Sequence, residues 1–365
     1  MNAKLGEIAE FINGGAWSDK EYTDIGIPVV KVTNLKNGTV DLSEVNYIPE
    51  SSLDKYSKHL LRKGDLVIAT VGSHPNLIAS AAGRATIIPI HAEGALLNQN
   101  ALCIRTKSDN LHQGYLGYLG KSVDFQGYVK SVGRGAANQV RIALGLIKEF
   151  EFDLPLLHSQ HRIASILSAY DDLIENNLKR IKLLEEKAFL SYKGIMNGEK
   201  LERKKLKDVL DLKYGKALKA DDRKDGKYPV LGSSGVVGTN EAFYVKAPGI
   251  IVGRKGNIGS VYWSDDDFWP IDTVYYVESA LSLFFLYFNL KEQHFVNTDA
   301  AVPGLNRNFA LDNWINIPTH KSITAFDQEA KSTFALMAIL RKQNNKLREA
   351  RDILLPRLMS GEIEV

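Results

Sequence analysis

The stretch 155–199 constrains this chain more than any other. It reads PLLHSQHRIASILSAYDDLIENNLKRIKLLEEKAFLSYKGIMNGE, and its apolar residues Leu167, Tyr170, Ile174, Ile181, Leu184 and Ala188 keep close to a 3.5-residue spacing. Pro155 stands ahead of the run, and Gly194 and Gly198 stand where helices stop. A helix of about 35 residues is about 50 Å long, too long for the packing helix of a compact domain. It predicts a strut that needs a partner helix.

The partner is in the same sequence, displaced by 163 positions and aligned without a gap: Pro155 falls on Pro318, Leu173 on Leu336, Leu184 on Leu347, and Met196 and Gly198 on Met359 and Gly361. Its apolar line is Phe334, Met337, Leu340, Leu347 and Leu354. A second repeat links residues 4–30 to 205–231 at an offset of 201, matching Lys4-Leu5 with Lys205-Leu206, Gly14 with Gly215, and Pro28-Val29 with Pro229-Val230. The offset falls from 201 to 163 along the chain, so the second copy lacks 38 residues, taken from several loops. Loops are where recognition varies while a scaffold is kept.

Short β-branched runs (IPVVKVT, DLVIAT, RATIIPI and ALCIRT, then YPVLG, GIIVGR, SVYW and TVYYVE) predict strands in both copies. HQGYLGYLGKSV and SALSLFFLYFNLKEQ predict short helices. The expected fold is α+β: two tandem-duplicated globular domains, 1–154 and 200–318, separated by long helices at 155–199 and 319–365. The helices should form an antiparallel coiled coil with a pseudo-twofold axis through the pair. Asn176 and Asn177 in the first helix, and Gln343, Asn344 and Asn345 in the second, lie mid-helix, where a buried polar residue can set register. The other reading of these side chains is a solvated face.

Length alone suggests two or three domains, and 44% hydrophobic residues allow real cores. A net charge of +3 decides little, because nucleic-acid binding depends on local patches. The single cysteine, Cys103, rules out an intrachain disulfide framework and fits a reducing cytoplasm. The opening residues carry no apolar signal run, and the apolar run around Leu281–Leu290 is too short for a bilayer, so a soluble intracellular protein is expected.

Catalytic signatures are missing. There is no GxxxxGK[ST] loop and no Asn/Asp-Pro-Pro-aromatic tetrapeptide of an amino-methyltransferase. His158 and His161 lack a carboxylate or cysteine motif to complete a metal site and read as capping or surface residues. Glu185-Glu186-Lys187 reads as a solvated helix face and Asp265-Asp266-Asp267 as a turn with exposed charges. No metal or cofactor is expected in this chain, and a binding or scaffold role follows.

The loops do hold groups suited to nucleic acid. They are Lys31 and Asn34 in KVTNLKNG; Ser73, His74 and Asn76 in GSHPN; Arg134, Asn138, Gln139 and Arg141 in GRGAANQVR; Lys213, Tyr214 and Lys216; Arg254 and Lys255 in GRKGNIG; and Asn306 and Arg307. Asn, Gln and Arg can read base edges, while Lys, Arg and backbone N–H groups hold phosphate. Each is also an ordinary surface residue type. The run Arg203-Lys204-Lys205-Lys207 reads as a charged linker able to touch phosphate.

The chain resembles the specificity subunit of type I restriction-modification systems. The resemblance rests on the duplicated plan and on the proline-led helix, where Pro155, Gln160, Ile163, Ala164, Ile166, Leu167 and Asp171 stand at the family's motif positions. The openings KLGEIAEFINGG and KLKDVLDLKYGKA are similar to the starts of its target-recognition domains. The second helix departs, since FDQEAKSTFALMAIL keeps the period but little of the motif. The resemblance implies that each globule reads one half of a split, asymmetric site in double-stranded DNA and that the helices set the spacing. It implies that Leu167, Tyr170, Ile174, Ile181, Leu184, Phe334, Met337, Leu340 and Leu347 belong to the coiled coil and the docking of two modification subunits. Those partners would carry S-adenosylmethionine, and restriction subunits could join them. Two rivals remain. A self-contained modification enzyme is opposed by the missing motifs, and a coiled-coil scaffold would show no sequence-selective DNA retention.

Overall fold

A computed structural model describes residues 2–36, 38–72, 82–136, 139–198, 201–296 and 304–365. The chain divides into two compact units: Met1–Ile174 with Asn345–Val365, and Glu175–Asn344. Both long helices cross this division, so each unit holds one globule and its own portion of helix from each copy.

In the first unit, strands Ala9–Asn13, Ala101–Thr106, Leu66–Ala69 and Ala85–Ile87 form, in that order, an antiparallel sheet. Ile27–Val30 pairs in parallel with Leu96–Leu97, and Asn2–Lys4 closes against Glu151–Asp153. The second unit repeats this plan. Its sheet runs Asp211–Tyr214, Val274–Glu278, Gly249–Gly253 and Val261–Ser264, all antiparallel. Tyr228–Gly232 pairs in parallel with Trp269–Pro270, and Glu202–Lys205 closes against Trp314–Ile317. The run read as a charged linker is therefore a paired strand through Lys205, with Lys207 in the short turn that follows. There Arg203 and Lys205 lie over the Trp314 ring, and Lys207 bonds Asp312 at 2.7 Å.

The repeated glycines have one structural reason. A Cβ on Gly14 would stand 1.9 Å from the Asn98 carbonyl oxygen, and one on Gly215 would stand 2.0 Å from that of Ile271. Only glycine lets the backbone approach so closely. The surrounding bonds repeat as well. Gly14 N–H donates to Ala101 O and Gly215 N–H to Val274 O; Gly15 N–H donates to Leu97 O and Lys216 N–H to Pro270 O. The same turn thus carries Gly15 in one unit and Lys216 in the other.

The long helices span Leu157–Asn197 and His320–Met359. Their portions run antiparallel within each unit. In the first, Ser159 bonds the Val365 carbonyl and Asp171 meets Arg351; in the second, Ser191 bonds Glu329 and Asn177 bonds Asn344. The seam alternates steps of three and four residues. In the first unit it runs through Gln160, Ile163, Leu167, Tyr170 and Ile174, facing Leu347, Arg351, Leu354 and Leu358. In the second it runs through Asn177, Ile181, Leu184 and Ala188, facing Met337, Leu340 and Asn344. Each globule and its helix portions share one hydrophobic core, which includes Ile163, Leu167 and Leu358 in the first unit and Ala188, Tyr192, Phe326 and Met337 in the second.

Of the five mid-helix amides, Asn176, Gln343 and Asn345 are exposed. Asn177 and Asn344 are buried, and Asn177 Nδ2 donates to Asn344 Oδ1 at 2.9 Å. The apolar side chains of the seam tolerate small slips, whereas this buried pair bonds in one register only. Either Asn177→Leu or Asn344→Leu alone should cost about 1–3 kcal/mol, because the remaining buried amide loses that partner. The double variant should regain most of the loss in urea unfolding while specifying register less well. Single variants as stable as the parent would sink this account.

The motif residues of the first helix are ties to its globule. Gln160 is fully buried: its Oε1 accepts the His112 N–H at 2.9 Å, and its Nε2 donates to the Asn110 and Pro155 carbonyls at 2.8 and 2.9 Å. Asp171 accepts from Tyr118 and Arg351. At an offset of 163 these positions are Ile323 and Phe334 in the second copy, both buried. Phe334 packs against Trp263 and Phe284 of its globule, at 4.6 and 4.9 Å between ring centres, and is not part of the helix–helix seam. In the second copy apolar packing stands where the first copy has polar ties.

Two other charge groups differ from expectation. Glu185 is no solvated face, since it accepts from the Tyr287 hydroxyl and Lys291 of the globule. The triple aspartate is engaged rather than free. Asp265 holds Arg341 and the Trp263 indole N–H, Asp266 pairs with Lys342, and Asp267 accepts the Ala247 N–H. A strand-end turn is thereby fastened to the second long helix.

Candidate nucleic-acid interface

In the second unit the end of the sheet gathers cations onto aromatic rings. Strand Asp211–Tyr214 brings Tyr214 beside Tyr275 of its neighbour, at 5.1 Å between ring centres. Arg254, just past Gly249–Gly253, lies over Tyr214 at 5.0 Å and donates to the Asp272 carbonyl. The GRKGNIG loop closes on itself: Gly259 N–H bonds Gly253 O, while Gly253 N–H bonds Ser260 O. Gly256 and Gly259 take positive φ, which favours glycine. Lys255 stands 4.0 Å from Asp272.

Exposed Lys216 forms a second cluster. Its ammonium lies 5.6 Å from the Trp269 ring and 5.9 Å from Tyr244, and the Trp269 indole donates to its carbonyl. Tyr244 also meets Tyr276 edge-on. Cations held over ring faces stay charged and positioned, a combination suited to phosphates and bases. Sequence reading missed Tyr244, Trp269 and Tyr276. Strand alternation in TVYYVE sends Tyr275 inward and leaves Tyr276 on the other face, and that period of two was the available signal.

The remaining candidates of this unit serve the fold. Lys213 bonds Asp211 at 2.9 Å, a contact that raises the lysine pKa and lowers that of the carboxyl. Arg307 donates to the Leu212 carbonyl and to Asp211. Asn306 caps helix Arg307–Leu311 by accepting the Asn308 and Phe309 N–H groups.

In the first unit Lys31 lies over Tyr22 at 4.5 Å and donates to Asn46. Asn34 is buried: its side chain accepts the Lys31 N–H and donates to the Asp41 and Glu44 carbonyls. Arg141 is exposed at the end of a strand pairing Val71–Gly72. Ser73, His74, Asn76 and Asn138 lie outside the described residues, as do the side chains of Arg134 and Gln139.

Cys103 is buried, and burial pushes its thiol pKa well up. The His161 ring lies tilted against that of His112, at 4.0 Å between ring centres. Among the described residues no cluster of three or more His, Cys, Asp or Glu could hold a metal ion, and no helix is long and apolar enough to cross a membrane.

Comparison with known proteins bears on this arrangement. The family model described as the type I restriction modification DNA specificity domain matches residues 1–186 and 198–319. The chain is 27% identical over 194 residues to the type I restriction enzyme MjaVIII specificity subunit of Methanocaldococcus jannaschii, covering 53% of this chain and 44% of that one. It is 24% identical to the MjaIX specificity subunit of the same organism, covering 99% and 93%. It thus spans under half the length of the first, as it does of another specificity subunit of that organism at 43%, and nearly all of the second. The crystal structure of the S subunit of a type I restriction-modification system from M. genitalium has the same fold, with a TM-score of 0.54 at 17% identity over 98% of this chain and 96% of that one. With two matched segments that together cover most of its length, and with one sheet plan used twice, this chain belongs to the family of type I restriction-modification DNA specificity subunits.

Proposed function

We propose that the chain is the non-catalytic DNA-reading subunit of a cytoplasmic type I restriction-modification complex, each unit gripping one half of a bipartite, asymmetric site in duplex DNA. The observation that carries this is the duplicated turn. Identical backbone bonds present Gly15 in one unit and Lys216, its ammonium over the Trp269 ring, in the other. One scaffold with unlike groups at matching places suits two unlike half-sites, as true dimers suit palindromes. Lys216, Tyr214, Arg254 and Lys255 are the DNA contacts of the second unit, and Lys31 and Arg141 those of the first. Ser73, His74, Asn76, Arg134, Asn138 and Gln139 complete the proposed set.

Catalysis belongs to partner methyltransferase subunits, which bring S-adenosylmethionine and take up the base extruded from the duplex. The helices offer those partners a surface. In the second unit Leu178, Leu183, Leu190, Leu336 and Ile339 are exposed outside the seam, apolar positions that a partner helix can cover.

The test is DNA retention by the chain co-expressed with its methyltransferase, with methylated adenines mapped on the product. Arg254→Ala with Lys255→Ala should lower affinity about tenfold and flatten the salt dependence by a slope of about 1 to 2. If the parent complex retains no DNA selectively, the scaffold reading replaces this one.

A further inference from the structure

The duplication places the same small sheet in both units, with different charges on its outer face. In the first unit Asn2–Lys4 pairs with Glu151–Asp153, and in the second Glu202–Lys205 pairs with Trp314–Ile317. Residues directly opposite across an antiparallel pair share a face. Asn2 and Lys4, opposite Asp153 and Glu151, therefore make one face, and Arg203 and Lys205, opposite Asn316 and Trp314, make the other. The repeat offsets of 201 and 163 match these positions one for one: Asn2 with Arg203, Lys4 with Lys205, Glu151 with Trp314 and Asp153 with Asn316. The face points outward. Trp314 and Asn316 are exposed while Ile315 and Ile317 are buried, and Glu151 and Asp153 are exposed on either side of half-buried Phe152.

At these matched positions the first face has two carboxylates against one cation, and the second has two cations and no carboxylate. Lys4 bonds Glu149, which raises its pKa, and the Glu151 and Glu7 charges raise it further. Among the described residues no cation pairs with Glu151 or Asp153. In the second unit Glu202 bonds Lys204 and Asp312 bonds Lys207, and among the described residues no carboxylate pairs with Arg203 or Lys205. Both of these cations lie over the Trp314 ring, at 4.4 and 4.1 Å, and Trp314 is 50% exposed. Trp and Arg are the side chains that most often anchor protein interfaces, and cations held over a ring are positioned before a partner arrives.

We propose that the basic face of the second unit docks the acidic face of the first unit of a second copy of this chain, with Glu151 and Asp153 meeting Arg203 and Lys205 around Trp314. Charge selects this occupant, since each face complements the other and not itself. The contact joins unlike patches, so it links copies through a heterologous interface. A face this small and charged belongs to the weak, salt-sensitive class. The inference is independent of the DNA-reading function proposed above.

Sedimentation of the full chain at rising concentration reads the contact. The parent should self-associate at low salt and lose that association near 1 M salt, where the Debye length is about 3 Å. Arg203→Glu with Lys205→Glu, and separately Glu151→Lys with Asp153→Lys, should each weaken self-association by about tenfold or more. Mixing the two variants should restore association, because each keeps the face that the other has lost. All four substitutions in one chain should restore it as well, a recovery that misfolded variants would not give. The milder pair Arg203→Gln with Lys205→Gln should weaken association by a smaller factor. A parent that shows no concentration dependence overturns the proposal, and so does self-association that neither reversal changes. If reversal of the basic face leaves self-association intact and lowers retention of duplex DNA, that face contacts DNA and the docking falls.

Discussion

Replacing Asp171 with alanine should destabilise the first unit by about 2–4 kcal/mol, because it leaves the buried Lys121 without its carboxylate and Arg351 with only the exposed Asp352. Asp171 accepts from Arg351 Nη1 at 2.5 Å and from the Tyr118 hydroxyl at 2.8 Å, with Lys121 at 3.9 Å. Arg351 is only 18% exposed and Lys121 15%. Burial works against the Arg351 cation, and Asp171 and Asp352 more than offset it, so its pKa is raised. Without Asp171, Arg351 keeps the exposed Asp352, while Lys121 faces Arg351 with no counter-charge of comparable distance among the described residues. Asp171→Asn keeps an acceptor and should cost less. Adding Lys121→Gln to Asp171→Ala should recover part of the loss, a coupling that a double-mutant cycle in urea measures. Additive single effects would show that the network is not held by charge.

Phe334→Ala should destabilise the second unit by about 3–5 kcal/mol, the range for removing a buried aromatic ring. Phe334 is 3% exposed and meets Trp263, Phe284, Tyr287 and Phe288 at 4.6 to 6.0 Å between ring centres. These neighbours come from a strand and a helix of the globule, so the void would open where the long helix is seated. Phe334→Leu fills most of the space and should cost under about 2 kcal/mol. Amide exchange should rise first in Leu283–Glu292 and in the helix flanking 334. Equal effects of alanine and leucine would mean that the ring's packing is not what seats the helix.

Both predictions concern the same position in the repeat, since residue 171 advanced by 163 is residue 334. One copy anchors its helix by charge, the other by aromatic packing. The departure of the second helix from the family motif is legible in sequence, but its compensation is not, because Trp263 and Phe284 lie far from Phe334 along the chain. The DNA-facing residues divide in the same way. Lys216 and Arg254 were recognisable as cations in glycine-bearing loops, while the rings beneath them were not. Asn34 and Asn306 have the same chemistry on paper as a base-reading amide, yet the fold uses them to satisfy backbone groups.

By itself the sequence determined what depends on neighbours a few residues apart. That includes the long helices from a 3.5-residue period and the strands from β-branched runs, and the repetition of both shows the duplication with its family, whereas the need for glycine at 14 and 215 comes from the distant carbonyls of Asn98 and Ile271. Tertiary structure decided what depends on which distant side chains meet. Among the mid-helix amides it chose Asn177 and Asn344 as the pair, joined Asp171 to Arg351 and Asp265 to Arg341, and drew Lys36, Arg84, Lys121 and Arg351 around one cavity. The physical reason is one of range. Backbone period and turn geometry are set locally, whereas a charge or an amide acquires its role only from the partner the returning chain brings within a few ångströms.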